Sequence, residues 1–460
     1  MSKQNNSKPI SKSLKTFYGV GDFSFTLMTN IDTFYASFFF TNIAKFSLGI
    51  VSIMTTISAV VDAILSMMYG AFLNKVKAPK WGRYRSWFII TPWLVPFLYA
   101  CQFIKIGNGA AAIIFATLAM ITSRIAWNIP YIANISMINV AGKTQDDRMA
   151  LSSIRSVWTS LGSVVYSFVG PAVVAFFAAK IGESNAYAAT AFVFGVLMAA
   201  AFYAHFVMFK GYEPTGAEEA AMMAKMAKTA SADAPKVKAM DAVKCNPHLI
   251  WLIVSNMTKY VLLFLVNGMA MYYFTYVSQN PGLMTPFMLI ANVLGIVASF
   301  LARPIVAKLN PKRTVLISYV IMAVAGILAF FMFSNTTIVI VLISVMFFFM
   351  YITNAADPDF YANCARYSGE KLGYDVTGTV MGLLTVPIKL GIVARGLLIS
   401  ACLAIAGFDA SVDYLAAGNE ALLEGIQRGV CYGFMVIPAV AIFFGALTLA
   451  FGYRLGGENK

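Results

Sequence analysis

The stretch from Asp62 to Trp87, DAILSMMYGAFLNKVKAPKWGRYRSW, constrains this chain more than any other. It runs from the end of an apolar segment carrying one carboxylate, through a Gly-Ala pair, into a turn with five Lys/Arg. A basic cluster of that size between two apolar runs belongs on the cytoplasmic face of a membrane, because translocating it is costly. The loop therefore sets the orientation. A lone acid inside the preceding run is expensive unless it lines a cavity or is paired, which makes Asp62 a candidate functional residue.

Composition agrees with a membrane chain. Of 460 residues 59% are hydrophobic and 12% charged, with a mean hydropathy of +0.73, outside the range of soluble globular domains. Nucleic acid would suit the net charge of +14, but sorting of the 34 Lys/Arg across a bilayer accounts for it better, with roughly 24 on the side of the Asp62 loop. Both termini are thus expected in the cytoplasm of a multi-pass protein of the cell membrane, with no nucleic-acid partner and as a monomer. Cys101, Cys245, Cys364, Cys402 and Cys431 are odd in number and sit in or beside apolar runs, so no disulfide framework is implied. His205 and His248 have no Cys, Asp or Glu at ligand spacing; no metal site or cofactor is expected. Residues 1–16 lack the apolar core of a cleavable signal, which leaves the first span as the targeting signal.

Apolar runs long enough to span predict twelve transmembrane helices. They fall near 17–43, 47–74, 86–106, 109–139, 150–179 and 187–209, then 247–277, 283–308, 314–334, 336–363, 376–407 and 428–454. The implied plan is a cytoplasmic tail 1–16, a six-helix bundle 17–209, a cytoplasmic loop 210–246, a second bundle 247–454 and a tail 455–460. Within 210–246 the segment GAEEAAMMAKMAKTASADAPKVKAM suits a short amphipathic helix followed by a tether. The basic turn Asn310-Pro-Lys-Arg313 after the eighth span echoes the Asp62 loop after the second, as in a duplicated transporter.

Polar residues inside the spans line up. Asp22, Thr26, Thr29 and Thr33 share one helix face, with Asp32 off to the side. Ser58, Asp62, Ser66 and Tyr69 align on the second span, Arg124, Asn128 and Tyr131 on the fourth, and Ser152, Arg155, Trp158 and Thr159 on the fifth. Thr385 and Lys389 stand a turn apart on the eleventh. Such stripes must face one another or a water-filled cavity. A single Ser or Thr most simply bonds back to its own helix, whereas Asp62, Arg155 and Lys389 have few structural uses in a membrane. Trp127 and Trp158 could pack or stack on a sugar face. Arg303, Asp357 and Asp359 fall near cytoplasmic helix ends, where snorkelling or gate-locking is the simplest reading.

The run Tyr18-Gly-x-Gly-Asp22, Asp62-Ala-Ile64, Lys80-Trp-Gly-Arg-Tyr-Arg85, Asn128-Ile-Pro-Tyr131, Arg148 with Arg155, Asn246-Pro247, Lys389-x-Gly391 and Gly425-Ile-Gln-Arg428 together resemble the glycoside-pentoside-hexuronide:cation symporter family. That family is the branch of the major facilitator superfamily that includes the melibiose permeases. The resemblance implies an all-α membrane protein of two six-helix bundles, with a central sugar site opening alternately to either side. It also implies a cation site of carboxylates on the first, second and fourth helices. Asp62 matches one of those acids. The acid expected one turn below it is Ser66, with Leu65 in place of the usual Asn. The sugar-binding acids of the first and fourth helices are Thr26 and Asn128 here, while the basic partners remain as Arg155 and Lys389.

The function expected is symport of a sugar or glycoside. Substrate is assigned to Asp22, Thr26, Arg124, Asn128, Arg155, Trp158 and Lys389, and the coupling cation to Asp62, Ser66 and Thr26. A hard metal ion wants several charged oxygens, so a proton is favoured over sodium as the coupling ion. The rivals are a uniporter or exchanger of an anionic sugar, its charge answering Arg155 and Lys389, and a non-transporting sensor or scaffold. A membrane enzyme is disfavoured for want of a nucleophile-base pair or phosphate loop in the sequence.

Overall fold

A computed structural model describes residues 9–75, 80–142, 144–215, 239–416 and 418–455. Most of the amphipathic helix expected in 210–246 lies outside them; of that insert, Ala239–Lys244 is helical. The described residues are helical throughout, without strands. Ten helices among them are long and apolar enough to cross a membrane. The first expected span is Val20–Phe38 followed by a π-helical turn, and the third is the shorter apolar segment Trp87–Cys101. Together they account for the twelve runs.

Capping explains where spans begin. Asn246 accepts the Leu249 N–H at 3.2 Å ahead of Pro247, Thr144 accepts that of Asp147 at 3.1 Å, and Asn335 accepts that of Ile338 at 3.2 Å. Proline explains the interruptions. Pro92 and Pro96 divide the third span into Trp87–Ile90, Pro92–Leu94 and Val95–Cys101. The tenth breaks after Asn354 and resumes as Asp357–Leu372, with Pro358 in its first turn.

The basic loop after the second span is tied down by one acid. Glu213 accepts the backbone N–H of Tyr84 at 2.8 Å and of Arg85 at 2.9 Å. Arg85 itself donates to the Phe206 carbonyl at 2.7 Å and lies 4.1 Å over the Phe206 ring. Gly82 turns the loop with φ of 116°, and a Cβ there would strike the Glu213 carboxylate.

By internal contacts the chain forms two units, Met1–Asp32 with Val60–Ala234, and Thr33–Ala59 with Pro235–Lys460. Both divisions in the N-terminal part fall inside helices, so the segment Thr33–Ala59 belongs with the later helices.

Within the second unit an internal repeat emerges. Phe38-Phe-Phe-Thr-Asn-Ile-Ala-Lys45 corresponds to Tyr272-Tyr-Phe-Thr-Tyr-Val-Ser-Gln279. Each copy ends its span in a π-helical turn, Phe39–Ile43 and Tyr273–Val277, and then in a left-handed residue, Lys45 at φ 62° and Gln279 at φ 50°. The closing bonds repeat too: Ala44 N–H to Phe39 O and Phe46 N–H to Phe40 O in one, Ser278 to Tyr273 and Asn280 to Phe274 in the other. The copies touch. Tyr276 donates to Asn42 Oδ1 across an offset of 234 positions, and the Phe38 and Tyr272 rings, at the same offset, are 5.4 Å apart. Thr41 Oγ1 and the Tyr272 hydroxyl share a buried bond of 2.7 Å. In two of these three contacts the partners are also equivalent in the repeat, as across a local two-fold.

Candidate functional site

Three buried acids organise the first unit. Asp22, on Val20–Phe38, receives Arg155 of the fifth helix as a two-pronged fork: Nε to Oδ2 at 2.8 Å, and Nη2 to Oδ1. Asn134 Nδ2 adds a bond to Asp22 Oδ2 at 3.3 Å. Asp32, nearly three turns along, holds Arg124 of the fourth helix at 3.0 Å. Asp62, on Leu48–Lys75, accepts Asn128 Nδ2 at 2.7 Å, and the same amide donates to the Arg124 carbonyl at 2.9 Å.

Asp22, Asp32, Asp62, Arg124 and Asn128 are all buried, and Arg155 is nearly so. In a low-dielectric interior an uncompensated charge is costly. The pairing of both arginines with acids of the same unit explains how two of these acids and both bases are accommodated. Arg155 also lies 5.7 Å from the centroid of Tyr131, itself stacked on Phe25 at 4.2 Å.

The hydroxyls behave as single Ser and Thr residues were expected to. Thr26 Oγ1 donates to the Asp22 carbonyl at 2.7 Å, Thr29 to Phe25 at 3.0 Å and Ser66 to Asp62 at 2.6 Å, each back along its own helix. Trp158 packs against Phe17 and Phe23, and its indole N–H donates to Thr16 O at 2.9 Å. That is the packing alternative, on the start of the first helix. Lys389 is half-buried in the second unit on Val386–Ile405, a turn beyond Thr385.

Sequence reasoning passed over four groups. Asp32 was set aside because it lies off the Asp22 face, yet a buried Arg124 needs an acid, and Asp32 is on a neighbouring helix. Lys259, fully buried in the seventh helix, holds Asp357 at 2.7 Å. Asp357 is thus a buried ion-pair partner and not a snorkelling charge; a lysine in the run NMTKYVLLFLV was the available signal. His205 is fully buried, and Arg395, 6% exposed, directs Nη1 to the Thr33 carbonyl at 3.5 Å.

A helical chain with ten membrane-length helices among its described residues, and with ion pairs and amides buried between them, has the form of a multi-pass membrane protein with a polar interior, the class that includes transporters. The chain belongs to the MFS/sugar transport protein family, whose model matches residues 17–457. A glucuronide carrier protein homolog of Escherichia coli (strain K12) is 21% identical over 440 residues, covering 94% of this chain and 92% of its own. The isoprimeverose transporter of Lactiplantibacillus pentosus is 22% identical over 313 residues, 67% of this chain and 62% of that one. The crystal structure of a D-xylose-proton symporter matches with a TM-score of 0.64 at 14% identity, over 96% of this chain and 98% of the other, a likeness of fold alone. The chain is a sugar transporter of the membrane.

Proposed function

We propose that the chain is a cation-coupled sugar symporter working by alternating access, with Asp62 as the coupling carboxylate and a proton as the preferred ion. The observation that carries this reading is the Asn128–Asp62 bond: a buried carboxylate on the second helix, held by a neutral amide from the fourth. An oxygen cage for sodium needs further charged donors, whereas a proton needs one carboxylate. Asp22, Thr26, Arg124, Asn128 and Arg155 supply donors and acceptors for sugar hydroxyls, and Trp158 and Lys389 keep their assigned roles in substrate recognition.

The substrate is an uncharged glycoside on this reading. Arg155 is matched by Asp22 and Arg124 by Asp32, so neither arginine requires a carboxylate from the sugar. The relative named for glucuronide favours the other reading, exchange or uniport of an anionic sugar. The bundles are assigned to 17–209 and 247–454, with both termini cytoplasmic.

Reconstitution in proteoliposomes tests the coupling. Asp62→Asn should abolish accumulation under a proton gradient while retaining exchange; undiminished accumulation removes Asp62 from the mechanism. Competition by a glycoside and its uronide decides the substrate charge, the uronide being expected to compete poorly. Cysteines placed at 80, 144 and 311 in a Cys-less background should resist an impermeant reagent applied to intact cells, and labelling from outside would reverse the orientation.

A further inference from the structure

We propose that His205 is a positioning residue of the sugar site: its neutral imidazole caps the start of the first transmembrane helix and so fixes Asp22 for the Arg155 fork. The proposal rests on the assignment of Asp22 to that site.

A helix leaves its first N–H groups without intrahelical partners, and inside a protein something must accept them. The helix Val20–Phe38 solves this with a side chain from elsewhere. The Gly21 N–H donates to His205 Nε2 at 3.3 Å, and the bond is buried. An accepting Nε2 belongs to a neutral imidazole with its proton on Nδ1, which is buried and has no hydrogen-bond partner of its own among the described residues.

The ring has little freedom to leave. Tyr18 stacks on it with centroids 5.6 Å apart, and Phe88, Phe202 and Phe209 present edges at 5.9, 5.7 and 6.0 Å. Its fit to the helix is equally close, because a Cβ at position 21 would lie 2.6 Å from His205 Cε1. Glycine at 21 is thus the condition for the ring's approach. Gly19 bears the same relation to Trp158, against whose side chain a Cβ would collide. The glycines of Tyr18-Gly-x-Gly-Asp22 are seats for two aromatic rings.

Asp22 is the next residue. The turn whose N–H His205 accepts is therefore the turn that carries the carboxylate to Arg155, and loosening it frees both. Behind the same turn, the Tyr18 hydroxyl donates to the Asn134 carbonyl at 2.5 Å, and Asn134 Nδ2 reaches Asp22. His205 therefore acts through Asp22 and need not touch the sugar.

His205→Phe tests this, because phenylalanine suits an aromatic cage while removing the acceptor. Sugar KM should rise about tenfold, the size of one lost buried hydrogen bond, with little change in maximal rate or in melting temperature in detergent. His205→Gln, whose amide oxygen can accept, should recover most of the affinity. Gly21→Ala should raise KM by a similar factor by driving the ring off the N–H. Wild-type affinity in a folded His205→Phe protein overturns the proposal. Should His205→Phe fail to fold, Gly21→Ala with unchanged affinity overturns it alone. Asp22→Asn is the control: if it leaves KM unchanged, the assignment of Asp22 to the sugar site fails, and not the cap, which hydrogen exchange at Gly21 reads separately.

Discussion

Asn128 gives one amide hydrogen bond to Asp62 at 2.7 Å and another to its own helix at the Arg124 carbonyl, so the amide is oriented with nitrogen toward the acid. The symporter pattern would have a carboxylate on the fourth helix at this place. Asn128→Asp would put two carboxylates about 3 Å apart, and such a pair must share a proton or gather a cation. Sodium-stimulated uptake should appear in Asn128→Asp and be absent from the parent, read with sodium against choline chloride at fixed pH. An unaltered salt response would show that a second acid here is insufficient.

The Lys259–Asp357 pair predicts asymmetric stability effects. Removing one partner strands a buried charge, so Lys259→Met should cost about 3–5 kcal/mol. Replacing both, as Lys259→Met with Asp357→Leu, should return most of that. Denaturation midpoints in detergent give the comparison, and equal losses in single and double variants would count against the pairing.

At the cytoplasmic loop, Glu213 is expected to matter more than the arginines around it. Two backbone N–H groups depend on its carboxylate. Glu213→Ala should cost about 2 kcal/mol and speed amide exchange at Tyr84 and Arg85 at least tenfold. Partial burial lowers the Arg85 pKa and Glu213 opposes that, so the same substitution should lower it further. Protected amides in the alanine variant would mean that Arg85 holds the loop without help.

Asn42 and Tyr276 meet through the repeat. Tyr276→Asn alone leaves two short side chains, and Asn42→Tyr alone sets two phenols against each other; each should cost about 1 kcal/mol, the worth of the bond. Exchanging both should restore the contact with its ends reversed. A double variant no more stable than the worse single would argue against the local two-fold.

The spans were legible because each needs only a long apolar run, and Asp62 because a carboxylate within such a run is conspicuous. Partners were harder to read. Arg155 with Asp22 could be expected, since both lie on polar faces, but Asp32 escaped notice by lying a quarter-turn from its neighbours. Lys259 was readable as well, since Ser255 and Asn256 stand one turn before it on the same helix. His205 is invisible to spacing arguments: its cap bond goes to the backbone, where any residue offers the same N–H, and only Gly21 hints at the ring's approach. Trp158 is an aromatic suited to a sugar that also packs on the start of a helix, a contact no spacing argument shows.

Where segments 38–45 and 272–279 touch, positions 38 and 42 face their own duplicates. A change at 42 is felt at 276 and one at 38 is felt at 272, so these sites are inherited in pairs. Copies of a duplicated half can drift apart freely where they meet unrelated residues, but at a self-facing contact a substitution in one needs an answering substitution in the other. The asparagine and tyrosine that share a hydrogen bond occupy equivalent positions of the repeat, one as acceptor and the other as donor.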